Sequence, residues 1–186
     1  MNVASALAIE HSSEYNERIE GEEMLEKDNT YFMKEALKEA RKAFEKEEVP
    51  VGAIVVHKDS IIIGRAHNQA EMLHDATAHA EMLAITQAAE FLENWRLLDC
   101  TLYVTLEPCM MCCGAMVLSR LPLLIYGADD PKHGAVTSIA ESLANPSLNH
   151  KVKIVSGVLQ GECAAIMGEF FQKLRKRNKG NISEPQ

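Results

Sequence analysis

Between residues 32 and 44 the apolar side chains Phe32, Met33, Ala36, Leu37, Ala40, Ala43 and Phe44 recur three and four apart, with Lys, Arg and Glu between them. That spacing predicts an amphipathic helix. The period then changes. Val51 to Val56 and Ser60 to Gly64 are β-branched runs separated by Lys58-Asp59, which predicts an antiparallel hairpin. A second helical pattern runs through His79, Glu81, Met82, Leu83, Ile85 and Ala88, with Thr77 placed to cap it and Glu81 in the acid-favoured first turn. Thr101 to Leu106 reads as a third strand, and Pro108 suits the entry of a following helix that carries Cys109, Cys112, Met116 and Leu118. Two more strands are expected at Leu123 to Tyr126 and Val152 to Val155, with a polar loop and a short helix between them, and a last helix at about Glu162 to Arg177. Helices alternating with strands after the hairpin imply an α/β fold whose mixed sheet is covered on both faces.

Composition narrows the class. A chain of 186 residues with 47% hydrophobic content can bury the core of one domain. No stretch reads as long and apolar enough to span a membrane. The start is mildly apolar without a basic region before it, and Glu-rich sequence follows, which argues against secretory and import signals. Five cysteines suit a reducing compartment, so the cytoplasm is expected.

The net charge of −8 at first speaks against a nucleic-acid partner, but its distribution changes that. Eight acidic residues against Arg18 and Lys27 lie within residues 1 to 29. Most of the acidity therefore belongs to an N-terminal extension, 1–28, whose composition suits disorder; the expected domain is 29–179, followed by a tail, 180–186. Near the other end Lys173, Arg175, Lys176, Arg177 and Lys179 form a basic cluster, suited either to phosphate contact or to a solvated helix end.

The chemistry lies in two short motifs, His79-Ala80-Glu81 and Pro108-Cys109-Met110-Met111-Cys112. Zinc favours a tetrahedral shell of nitrogen and sulfur, and a catalytic site leaves one position for water. His79, Cys109 and Cys112 supply three ligands. The three-residue step from Cys109 to Cys112 puts both sulfurs on one helix face. Unpaired amides at a helix start favour thiolates there. Glu81 is too displaced to be an obvious fourth ligand yet near enough to take a proton from water, so it is expected to be the proton carrier. Cys113 points roughly 100° away from Cys112 on a helix and reads as a small buried hydrophobe. Cys100 and Cys163 read as core, Met110 and Met111 as packing. His57, His67, His74, His133 and His150 read as surface or hydrogen-bonding groups. The paired motifs match the known signature of zinc nucleobase deaminases.

The likeness extends well past the motifs. Val49-Pro50-Val51-Gly52-Ala53, His67-Asn68, Thr77-Ala78-His79-Ala80-Glu81 and Leu102-Tyr103-Val104-Thr105-Leu106-Glu107-Pro108-Cys109 are similar to runs in bacterial-type tRNA-specific adenosine deaminases. So are the loop from Gly127 to Gly134, Asn149-His150 and Glu162-Cys163-Ala164-Ala165, and the resemblance covers about Tyr31 to Arg177. It implies a cytidine-deaminase-like three-layer α/β/α fold with a five-stranded mixed sheet. It also implies a homodimer that converts the wobble adenosine of an arginine tRNA to inosine. One Zn²⁺ per subunit at His79, Cys109 and Cys112, proton transfer by Glu81 and substrate contact by Asn68 follow from the same resemblance. Asp130 is implied to touch RNA beside the target base, and Phe170-Phe171 with the basic helix end to approach the anticodon stem-loop. Two positions depart from the family pattern. Ala76 replaces a usual proline, and Asp129 places a second negative charge beside Asp130, which opposes phosphate contact. The zinc signature by itself leaves guanine, cytidine and deoxycytidylate deamination open, as well as a non-catalytic RNA-binding subunit that keeps zinc for stability.

Overall fold

A computed structural model describes residues 28–181, with side chains through Arg177, so nearly all of the acidic extension and the last residues of the tail lie outside the described part. The first helix, α1 (Asn29–Glu45), begins where Asp28 accepts a hydrogen bond from the Tyr31 N–H at 2.8 Å, an N-cap that satisfies one of the helix's free amides. It buries Phe32, Met33, Ala36, Ala40 and Ala43 on one stripe, as the spacing requires.

The hairpin forms from β1 (Gly52–His57) and β2 (Ile61–His67). Lys58 and Asp59 both take positive φ at its turn, the conformation that matches the twist of two paired strands. β3 (Cys100–Leu106) pairs antiparallel with β1 and parallel with β4 (Leu123–Ala128), which pairs parallel with β5 (Lys153–Val155). The sheet is thus five-stranded and mixed, in the order β2-β1-β3-β4-β5.

Alternation divides its side chains between two cores. Val55, Leu102, Val104, Leu124 and Tyr126 face one side, under α3 (Ala80–Phe91) and α4 (Met110–Leu118). Ile54, Val56, Tyr103 and Ile125 face the other, under α1 and α5 (Gln160–Asn181), where Cys163 joins them. Gly64 lets α3 come close: a Cβ there would lie 2.4 Å from the Ala84 carbonyl oxygen. At the outer edge of β2, the Arg65 N–H donates to Gln87 Oε1 on α3 at 2.9 Å. Among the described residues no helix is long and apolar enough to cross a membrane.

Three local expectations change. The expected cap, Thr77, is not at the helix start, because its N–H and hydroxyl both go to Asp75 Oδ1 at 2.8 and 2.7 Å; His79 occupies the N-cap position of α3. Cys109 likewise takes the N-cap position of α4, with Pro108 just outside. The short helix expected between β4 and β5 is a run of turns and bends. Near its start the amides are drawn elsewhere: the N–H groups of Val136, Thr137 and Ser138 all go to the Glu107 carboxylate instead of to carbonyls one turn back. One short helix was not foreseen, α2 (Ala70–Leu73), which closes on His74 at φ 52°.

Candidate metal centre and the cavity above it

Two of the three candidate ligands hold the same position in the local fold. His79 and Cys109 are each the N-cap of a helix, with extended backbone that turns the side chain out of the helix path, and Cys112 lies within the first turn of α4. Because β2 leads towards α3 and β3 leads into α4, two strands on either side of β1 deliver both helix starts to one place. His79 Nδ1 lies 3.6 Å from each of Cys109 Sγ and Cys112 Sγ, and the two sulfurs are 3.7 Å apart.

These spacings test the donor set for a metal. Zinc at about 2.3 Å from sulfur and about 2.05 Å from nitrogen in tetrahedral geometry needs S···S edges of about 3.8 Å and S···N edges of about 3.55 Å. The three donor atoms already form one face of that tetrahedron. The Cys112 thiol and the His79 ring hold the Cys109 thiol down at about 3, and Cys109 in turn raises the His79 ring. The shared hydrogen bond with Cys109 and burial push Cys112 the other way. Two thiolates and one imidazole suit a divalent cation of zinc's kind.

Glu81 belongs to the site without belonging to the ligand group. It sits in the first turn of α3 and is buried, and burial pushes its carboxyl up against the opposing pull of a backbone N–H and His79. A carboxyl poised in this way beside a metal site can give and take a proton.

A cavity of about 690 Å³ opens over these groups, and Asn68, Glu81, Cys109, Asp130, His133 and Phe171 are among the residues that line it. Asn68 is buried at the end of the hairpin, where its Nδ2 donates to Glu48 Oε2 at 3.1 Å. Asp130 lines the cavity from the loop after β4; its Oδ1 accepts the Lys132 N–H at 2.9 Å, and its Oδ2 lies 3.5 Å from His133 Nδ1. The two phenylalanines part company. Phe171 reaches the cavity, whereas Phe170 is buried with its ring 5.9 Å from that of Phe44. Of the basic cluster, Lys173 and Arg177 pair with Glu47 at 3.7 and 3.0 Å, and Arg175 and Lys176 stay exposed. Asp129 is exposed at the cavity lining.

The remaining cysteines are packing groups. Cys100, Cys113 and Cys163 are buried, and burial pushes their thiols up to about 11, 12 and 12. Among the described histidines only His79 joins the metal group. His67 is buried beside Lys46, 3.2 Å away, and burial lowers its pKa.

Two buried acids carry the lining residues and were not foreseen. Glu48 accepts the Met72 N–H at 2.7 Å and the Glu71 N–H at 3.3 Å besides Asn68, so one carboxylate anchors both α2 and the Asn68 amide. In the sequence it follows Glu45, Lys46 and Glu47 and looks like any charged helix end. Glu107 faces the loop after β4. Burial pushes its carboxyl up, but the Ser138 hydroxyl and the amides of Thr137, Ser138 and Asp130 more than reverse this and leave it at about 2. An acid between Leu106 and Pro108, at the end of an uncharged and almost wholly buried strand, was the one available signal.

Comparison with known proteins follows the same outline. The family model of MafB19-like deaminases matches residues 27–175. The tRNA-specific adenosine deaminase of Streptococcus pyogenes serotype M1 is 51% identical over 152 residues, covering 82% of this chain and 88% of that protein. That of Bacillus subtilis strain 168 is 50% identical over 156 residues, covering 82% and 96%. Among solved structures, one from a study of A-to-I editing by tRNA:A34 deaminases at the wobble position superposes with a TM-score of 0.71 at 46% identity, over 74% of this chain and 99% of that one. A guanine deaminase from Nitrosomonas europaea superposes with a TM-score of 0.66 at 23% identity, over 77% and 84%, a likeness of fold alone.

Proposed function

The chain belongs to the tRNA-specific adenosine deaminase family, and on that premise we propose that it hydrolyses the wobble adenosine of a tRNA anticodon, that of an arginine tRNA, to inosine and ammonia. The observation that carries the chemistry is the triangle of His79, Cys109 and Cys112 at tetrahedral-edge spacing, with the buried Glu81 beside it and outside it. Zinc fits this donor set and, when bound, supplies a Lewis acid that makes water a nucleophile at neutral pH.

The residues do the rest. His79, Cys109 and Cys112 hold the metal, and the two helix starts favour their thiolates. Glu81 takes one proton from the attacking water and delivers it to the ring nitrogen beside the amine-bearing carbon, then takes the second from the hydroxyl now on that carbon and delivers it to the departing amine, so the carboxylate ends as it began. Burial supports the exchange, since a carboxyl raised above its ordinary value takes a proton from water more readily than an exposed one and still returns it to a basic ring nitrogen or amine. The cavity takes an adenosine lifted out of the anticodon loop, where unstacking costs little. Asn68 and Asp130 contact the nucleotide and its neighbour, and Phe171 offers a ring face for stacking at the lining. Phe170 supports Phe171 from within, their rings 5.5 Å apart. The enzyme works as a cytoplasmic homodimer in this reading, and the exposed Met110 and Leu118 on α4 supply apolar surface for a second copy.

The test is incubation of the zinc-loaded protein with an arginine-tRNA anticodon stem-loop, free guanine, cytidine and deoxycytidylate in parallel, followed by analysis for inosine and ammonia. Inosine at the wobble position alone is the expected result. Turnover of a free base or nucleoside instead moves the substrate assignment to that base, and no turnover of any of them removes the enzyme assignment.

A further inference from the structure

Glu107 lies directly before Pro108 and Cys109, where β3 gives way to the metal helix, yet its carboxylate points to the loop after β4. Its side chain is buried, with the residue 3% exposed. Oε1 accepts the N–H groups of Val136, Thr137 and Ser138 at 3.0, 2.7 and 3.0 Å. Oε2 accepts the Asp130 N–H at 3.0 Å and the Ser138 hydroxyl. The main chains are joined as well, Glu107 N–H to the Ala128 carbonyl and Ala135 N–H to the Pro108 carbonyl, both at 2.8 Å. Gly134 makes room for this clasp, since a Cβ there would lie 2.2 Å from Glu107 Oε2.

The loop from Asp129 to Ser138 has no helix or strand of its own, and it supplies Asp130, Pro131, Lys132 and His133 to the cavity. Its shape therefore depends on what holds it. We propose that Glu107 is the positioning residue that sets this wall of the cavity in register with the metal centre, one residue from Pro108 and two from Cys109. Resting on the reading of the site as a tRNA deaminase, the wall receives the nucleotides beside the target adenosine, so Glu107 governs substrate affinity more than the chemical step. All partners of both carboxylate oxygens are donors. A glutamine amide has one acceptor oxygen, so in either orientation its NH₂ faces at least one backbone N–H that has lost its acceptor.

The experiment is Glu107→Gln in the full, zinc-loaded chain with three readouts. Hydrogen exchange at Asp130, Val136, Thr137 and Ser138 is expected to accelerate at least about tenfold, while that of β3 holds, because the loop amides lose a charged acceptor. Zinc content stays that of the parent. KM for the anticodon stem-loop rises about tenfold and kcat falls less than about threefold, the signature of lost binding rather than lost chemistry. Unchanged exchange in the loop, or a fall in kcat with KM preserved, overturns the proposal. Exchange and zinc content need no turnover, so a parent protein inactive on the stem-loop counts against the tRNA reading while exchange still decides the role of Glu107. Should Glu107→Gln not fold, Ser138→Ala removes a single donor to Oε2; a smaller acceleration at the same amides supports the proposal, and none overturns it.

Discussion

At the candidate metal centre, the residues pair within two or three positions along the chain, His79 with Glu81 and Cys109 with Cys112. Along the other walls of the same cavity the partners are distant: Asn68 and Glu48 are 20 positions apart, Glu107 and Ser138 31. The first region is assembled by helix starts, a local device that places a side chain once the helix is in place. The second is assembled by buried carboxylates that collect N–H groups from elsewhere, and it exists only when the whole domain has closed. One cavity is thus built by two means, and they should fail differently.

The widest gap between them is expected at Glu81. Glu81→Gln should keep its zinc, measured by atomic absorption, and lose turnover of the stem-loop by about 10²–10⁴-fold, the usual worth of a positioned acid and base. Cys109→Ala should lose both together. If Glu81→Gln also loses the metal, Glu81 is a ligand and the separation of roles within the metal region is gone.

Next comes Glu48. Glu48→Ala leaves Asn68 Nδ2 and the amides of Glu71 and Met72 without their acceptor. A cost of about 2–4 kcal/mol is expected from such donors, which corresponds to a melting temperature lower by about 5–10 °C. Thermal unfolding checks it, and a shift below about 2 °C would mean that the wall does not depend on this anchor.

A pH titration of stability distinguishes the second carboxylate. Glu107 titrates at about 2 in the fold against an ordinary 4.5, so the stability that its charge contributes is fully present above about 4.5 and is lost as pH falls through about 2. Urea midpoints of the parent and Glu107→Gln should therefore converge between pH 5 and pH 2. Parallel curves across that window would show that the charge adds nothing to the clasp.

The smallest effect belongs to Glu47. Its pairs with Lys173 and Arg177 are exposed, so Glu47→Ala should change stability by less than about 1 kcal/mol. It frees two cations at the end of α5. Stem-loop binding that tightens about twofold and becomes steeper in salt would mark the cluster as a phosphate contact; unchanged binding would return it to a solvated helix end.

The same contrast explains what was legible in the sequence. The strand and helix pattern was readable because burial follows the period of each element: Ile54 and Val56 against Ala53 and Val55, or Phe32, Met33 and Ala36 on one stripe. The candidate metal triad was readable because each half is a short local motif of recognisable type, although the halves stand 30 positions apart. Glu48 was not, because nothing distinguishes a buried acid from the solvated ones beside it until Asn68 and α2 arrive. The segment between β4 and β5 was read as a polar loop with a short helix; Ala135, Val136 and Leu143 enter the core without one, and that the amides of Val136, Thr137 and Ser138 serve Glu107 is a fact of the tertiary structure alone. Thr77 was a sound cap by type, displaced by an acid two residues before it.

The sheet also ends well on both sides, and this bears on how the protein behaves in a crowd. An outer strand with free amides is a template on which another molecule can add its own strand. On β2 the Arg65 amide is already taken by Gln87 from α3, and the strand carries a charged side chain paired with Glu35 at 2.9 Å. On the far side β5 is three residues long and begins with an exposed lysine. Polymerisation edge to edge has little to grow from at either end, so this chain should tolerate high concentration as discrete molecules.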